Sequence, residues 1–170
     1  MKKKTLFFLL MLLVSFNAAG ISHGQDSRLD KKYGVYLSLL GDPFPSAVGL
    51  NFAYNAVDFL RLNAGVGYFS ADTASITSVG LGVKALVPHW DFSPFIGLNY
   101  SQSFMSSSLG QVFFYNPANG SISNSLSFVY PSFGLDYQTR GGFDIGLNLA
   151  YFDVQNTKGV IPGLNIGMFF

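Results

Sequence analysis

An all-β fold, an eight-stranded antiparallel up-and-down transmembrane β-barrel behind a cleavable signal peptide, is predicted by three observations. The chain is 49% hydrophobic and only 11% charged, too little charge to clothe a soluble domain of this size. Past the leader, no apolar run approaches the roughly 20 residues that a spanning helix needs. Apolar residues instead alternate with small or polar ones, the period of strands whose successive side chains point to opposite faces.

The leader comes first in the chain. Met1-Lys2-Lys3-Lys4 precedes an apolar run from Leu6 to Val14 that extends to Phe16, and Asn17-Ala18-Ala19-Gly20 follows. That is the pattern of a Sec-type signal peptide, whose apolar part is too short to anchor in a membrane. Small residues allow cleavage after Gly20 (Ala18, Gly20) or after Gly24 (Ser22, Gly24), so residues 1–24 are read as leader and 25–170 as barrel. Without the three leader lysines the chain carries 7 basic against 9 acidic residues, or −2. Such a mildly acidic protein is a poor partner for nucleic acid. The absence of cysteine excludes a lipoprotein anchor, disulfides and thiolate metal sites.

The alternation then recurs eight times. A first segment at about residues 33–40 carries Tyr33, Val35, Leu37 and Leu39 on its greasy face, and a second at about 47–54 carries Val48, Leu50, Phe52 and Tyr54. The third, about 59–69, offers Leu60, Leu62, Ala64, Val66 and Tyr68; the fourth, about 75–87, offers Val79, Leu81, Val83 and Ala85. Pro94 opens the fifth, with Ile96, Leu98 and Tyr100, and the sixth ends near Tyr137 with Val129, Phe133 and Leu135. Phe143, Ile145, Leu147, Leu149 and Tyr151 mark the seventh, while Val160, Pro162, Leu164, Ile166, Met168 and Phe170 mark the last. Eight is an even number, as single-chain bacterial barrels require.

Connection lengths orient these strands. Residues 55–58, the segment around Pro88-His89-Trp90-Asp91, and Thr139-Arg140-Gly141-Gly142 have tight-turn chemistry. The other connections are 41–46, 70–74, a long stretch around 104–125, and 153–159. Short turns belong on the periplasmic side of such barrels and longer loops outside, so both termini are expected in the periplasm. Within the long stretch, Asn119-Gly120 after Pro117 is a hairpin signal, and residues 111–115 are expected to pair with 121–125.

With its leader, eight segments, alternating connections and terminal Phe170, the chain resembles the small eight-stranded outer-membrane barrels of the OmpA transmembrane-domain, OmpX and OmpW kind. The resemblance covers the whole mature chain and is architectural. It implies the cell envelope of a Gram-negative bacterium, outer-membrane lipids and the barrel-assembly machinery as partners, and a monomer. It also implies that Phe170 acts as the C-terminal assembly signal. No peptidoglycan-binding domain is expected after the last strand.

Which face lies outside is decided by the small-residue face. Gly34, Gly49, Gly65, Gly67, Gly80, Gly82, Gly97, Gly134, Gly146, Gly163 and Gly167 fall on it, with Asn51, Asn63, Asn99, Asn148 and Asn165 among them. A soluble exterior would need charge there, whereas the narrow interior of an eight-stranded barrel needs small residues because side chains fill it. Four charges share that face: Arg61, Lys84, Asp136 and Asp144. Their positions in the strands put them at one depth near the periplasmic rim, where two bases and two acids can neutralise one another as a plug. In the greasy register, Tyr33, Tyr54, Tyr137, Phe143 and Phe170 at one end and Tyr68, Tyr100 and Tyr151 at the other form interfacial girdles.

Chemistry is sparse. His23 and His89 are the only histidines, and His89 has no evident serine partner for the Ser/His arrangement that acyl transfer requires. Nor do two distant histidines and scattered aspartates offer a metal-ligand spacing. No enzymatic activity, cofactor or metal is therefore expected. Phe113, Phe114 and Tyr115 in the long loop are the candidate interaction patch. The expected role is structural or surface interaction, with extracellular loops presented and the lumen plugged; the alternative is a narrow channel for small or hydrophobic solutes.

Overall fold

The computed structural model describes residues 27–43, 46–71, 74–87, 92–107, 114–116, 121–154 and 157–170. The leader with both cleavage positions, His23, His89, Asn119-Gly120 and Phe113 lie outside these residues. A short helix, α1 (Ser27–Asp30), leads into β1 (Tyr33–Leu39), β2 (Val48–Val57), β3 (Leu60–Ala71), β4 (Ala74–Leu86) and β5 (Phe92–Ser107). Two three-residue strands follow, β6 (Phe114–Asn116) and β7 (Ser121–Ser123), and then β8 (Ser125–Gln138), β9 (Phe143–Val154) and β10 (Thr157–Phe169). The eight long strands close a barrel in the order β1-β10-β9-β8-β5-β4-β3-β2. All neighbours are antiparallel, including the closing pair β1–β10, which runs from Gly34↔Phe169 to Leu39↔Leu164. The backbones of Tyr33 and Phe170 also exchange hydrogen bonds, at 3.2 and 2.8 Å.

Alternation decides which way each side chain faces. Along β2 the odd-numbered Gly49, Asn51, Ala53 and Asn55 are buried, while Val48, Leu50 and Phe52 between them are exposed. The same holds around the ring: Leu81, Leu98, Val129 and Leu147 are exposed on the outside, and Ser78, Asn99, Ser132 and Asn148 are buried inside. A water-soluble fold has the opposite polarity. Both predicted girdles point outward, and at the end shared with the termini the rings of Tyr33 and Tyr54 lie 5.3 Å apart and those of Phe92 and Tyr137 4.5 Å apart.

Several boundaries differ from the sequence expectation, each for a local reason. Residues 55–58 are not a four-residue turn: β2 continues through Asn55 to Val57 with a bulge between those two residues, and only Asp58 and Phe59 form the turn. Asn55 stays in the ladder because its side chain has inward partners, including Arg61. Strands β3 and β4 reach Ala71 and Ala74, so that loop is shorter than the expected 70–74, and β9 and β10 likewise shorten 153–159. In the long loop the pairing is Phe114↔Ser123, Tyr115↔Ile122 and Asn116↔Ser121, a separate two-stranded sheet.

One ladder stops early. The β8–β9 pairing runs from Gln138↔Asp144 to Ser132↔Ala150 and, among the described residues, goes no further. The next residue of β8 is Pro131, which has no N–H to donate, while the β5 ladder runs on past it at Leu98↔Pro131. Inside that seam, Phe128, Phe152 and Ile161 pack against Tyr130 and Ala150.

Candidate functional site: the charged interior

Six charged residues are buried among the described residues, three bases and three acids: Arg28, Arg61, Lys84, Asp42, Asp136 and Asp144. Each is delivered by a different part of the chain. Arg61 projects inward from the start of β3 because it holds the small-residue register, and both it and its two acidic partners are about 1% exposed. Its Nη1 is ion-paired with Asp136 Oδ2 from β8, and its Nη2 lies 3.4 Å from Asp144 Oδ2 of β9. The remaining donors are also taken, since Nε donates to Asn55 Oδ1 at 2.9 Å and Nη2 to Gln138 Oε1 at 3.1 Å. The face of the guanidinium stacks 4.3 Å over the ring of Phe169. Such a planar, five-donor cation satisfies two carboxylates and two amides at once, which an ammonium does not.

Lys84 is placed differently. Its ion-pair partner is Asp42, with Nζ 3.9 Å from Oδ2, beyond hydrogen-bond reach. It also lies over the rings of Phe95 and Tyr36, at 4.6 and 5.7 Å to the centroids, where the electron-rich ring face attracts a cation. The structure therefore brings Arg61, Asp136 and Asp144 together and turns Lys84 toward a third acid, Asp42.

Asp42 comes from the β1–β2 connection, which dips into the barrel mouth. Leu40 has a positive φ of 53° and Gly41 one of 142°, so the chain leaves β1 by a left-handed kink that suits glycine at its second position. Asp42 then accepts hydrogen bonds from the Tyr130 hydroxyl at 2.9 Å and the Asn148 amide at 3.1 Å. Its carbonyl accepts from the Ser38 hydroxyl and, at 3.2 Å, from Asn51 Nδ2. Pro43 follows into the space left by the inner-face glycines: a Cβ at Gly80 would lie 2.5 Å from Pro43 Cβ, and one at Gly49 or Gly67 would lie 3.2 Å from its Cδ.

At the opposite end, Arg28 of α1 reaches Val87 O at 3.4 Å and also donates to the Ser93 hydroxyl. Asn55 ties the same segment down by donating to Arg28 O and Lys31 O at 3.4 and 3.1 Å. The polar interior is thus contacted at one end by the residue 40–47 connection and at the other by α1.

Four participants escaped the sequence reading. Asn55 and Gln138 were legible, because they simply continue the inward series Asn51-Ala53-Asn55 and Gly134-Asp136-Gln138. Asp42 and Arg28 lie outside any strand, and no periodicity marks them. Of the loop patch, Phe114 and Tyr115 belong to β6. Phe170 lies on the outer face and is exposed.

An eight-stranded antiparallel barrel that is apolar outside and polar inside is the architecture of the small outer-membrane barrels. A solved structure of that type shares the fold. The chain is similar to neisserial surface protein A, with 16% identity over 82% of this chain and 94% of that one, at a TM-score of 0.50. The N-terminal β-barrel domain of Pseudomonas aeruginosa OprF matches 82% of this chain and 96% of its own at 14% identity, TM-score 0.49. Yersinia pestis Ail matches 82% and 99% at 12% identity, TM-score 0.48. At 16% identity the likeness to neisserial surface protein A is one of fold alone. Neither a family model nor a curated protein matches the sequence.

Proposed function

We propose that this protein is a non-catalytic outer-membrane barrel that stabilises the envelope and presents surface loops, with its lumen closed by the charged interior. The observation that carries the reading is the inverted polarity together with six buried charges of balanced sign. Balanced, interlocked charges hold the wall strands to one another across the lumen, where a conducting pore would need a continuous wet path. The mouth connection and α1 engage the same interior from both ends. Purified barrel in planar bilayers is expected to show no steady conductance, and liposomes carrying it no swelling in a small sugar. Sustained single-channel openings or rapid swelling would instead establish the solute-conduit reading.

The proposal includes an orientation, with the termini and α1 in the periplasm and the β6–β7 hairpin outside. The hairpin supports it, because it forms its own sheet on the longest connection, and such projections are where exposure and proteolysis concentrate. Protease added to intact cells is expected to cut between β5 and β8 and to spare the Asp58-Phe59 turn. Cleavage at that turn with the hairpin protected would reverse the topology.

A further inference from the structure

At the middle of the barrel is a cavity of about 10 Å³, lined among others by Tyr36, Asn51, Asn63 and Asn99 and by the glycines Gly65 and Gly82. This is the size of a single water, which needs about 10–15 Å³ of such volume and two to four polar partners. The partners are present. The Tyr36 hydroxyl and both amide atoms of Asn63 are buried with no hydrogen-bond partner in the protein. Tyr36 as a whole is 3% exposed, so bulk solvent does not serve it.

Two further groups are aimed by their own bonding. Asn51 donates its Nδ2 to Ser38 Oγ at 2.9 Å and Asp42 O at 3.2 Å, and Asn99 donates its Nδ2 to Ser132 Oγ at 2.9 Å and Tyr130 O at 3.4 Å. Asp42 O and Tyr130 O are carbonyls and only accept, so neither amide can be flipped without setting oxygen against oxygen. The two Oδ1 atoms are thereby turned the other way. A Cβ built on Gly65 would collide with Asn51 Oδ1, and one on Gly82 with Asn99 Oδ1, and both glycines line the cavity. Absence of a side chain at these positions makes room for the two amide oxygens at the cavity wall.

We infer that this cavity is a binding site for one structural water. Its two hydrogens go to Asn51 Oδ1 and Asn99 Oδ1, and its oxygen accepts from the Tyr36 hydroxyl and Asn63 Nδ2. Two fixed acceptors and two available donors match the valence of water. Asp42 also lines the cavity, but its carboxylate oxygens accept from Tyr130 and Asn148, and the Lys84 ammonium 5.7 Å over the Tyr36 ring opposes a second cation there. The water would satisfy groups that are otherwise costly to bury and would link β1, β2, β3 and β5 at the centre of the lumen. The inference goes beyond the proposed role and does not depend on whether the barrel conducts.

The test is solution NMR of the folded full-length mature barrel in lipid nanodiscs, reading water cross-relaxation at the Asn63 side-chain amide and the Tyr36 hydroxyl. Cross-peaks with the sign of a long-lived bound water are expected at both. Asn63→Leu is expected to abolish the peak at Tyr36, and Tyr36→Phe to weaken the peak at Asn63 while the barrel's amide spectrum is retained. If Asn63→Leu does not fold, Tyr36→Phe alone decides. Absence of water cross-peaks in the folded wild type, or their persistence unchanged in the variants, would overturn the site. So would side-chain shifts of Asn51, Asn63 and Asn99 that follow exchange of sodium for potassium, since these would assign the cavity to a cation.

Discussion

Replacing Arg61 with methionine is expected to cost the barrel about 3–5 kcal/mol, the range for stranding a buried charge by removing its partner. The methionine keeps much of the apolar stem and gives up the guanidinium with its ion pairs and its stack on Phe169, so the loss reports the guanidinium as a whole. Asp136 and Asp144 then face each other inside a wall with no cation between them, and Asn55 and Gln138 lose a donor each. Combining Arg61→Met with Asp136→Asn and Asp144→Asn removes all three charges and is expected to recover much of the loss, because no carboxylate of the cluster is then left without its base. Unfolding in urea, followed by heat-modifiable gel mobility, gives both numbers. Strictly additive losses in the combined variant would mean the three groups are energetically independent, and the buried charge cluster would no longer explain how the lumen is held.

Arginine at Leu81 is the second large effect. Leu81 is 63% exposed near the middle of β4, and on a soluble protein such a change at an exposed site costs almost nothing. In a bilayer the same arginine sits near the hydrocarbon midplane and is expected to cost about 2–4 kcal/mol. Thr77 faces outward nearer the end of the same strand, and arginine there is expected to cost only about 0–1 kcal/mol. Folding titrations into phospholipid vesicles would measure the pair. Equal tolerance at both depths would remove the outer face of the barrel from hydrocarbon, and the membrane assignment with it.

The two predictions rest on different kinds of information. The Leu81 result follows from alternation alone, because a strand has a strict period of two and each residue's parity decides its face before any partner is known. The strand count, the outward girdles and the inward register of Arg61, Lys84, Asp136 and Asp144 were legible for the same reason. Parity was also enough to extend the inward series to Asn55 and Gln138, had turn chemistry at residues 55–58 not outweighed it. The pairing of the charges was not legible. It depends on which strands face each other across the lumen and on stagger around the closed sheet, quantities that emerge only when β1 meets β10. Arg61 reaches two acids because β8 and β9 present them on the far wall, and Lys84 turns to Asp42 because a kink at Leu40 and Gly41 carries that acid off its strand into the mouth. No sequence period governs a residue that has left the ladder, so Asp42 and Arg28 were decided by tertiary structure, and by the inner-face glycines that left room for them.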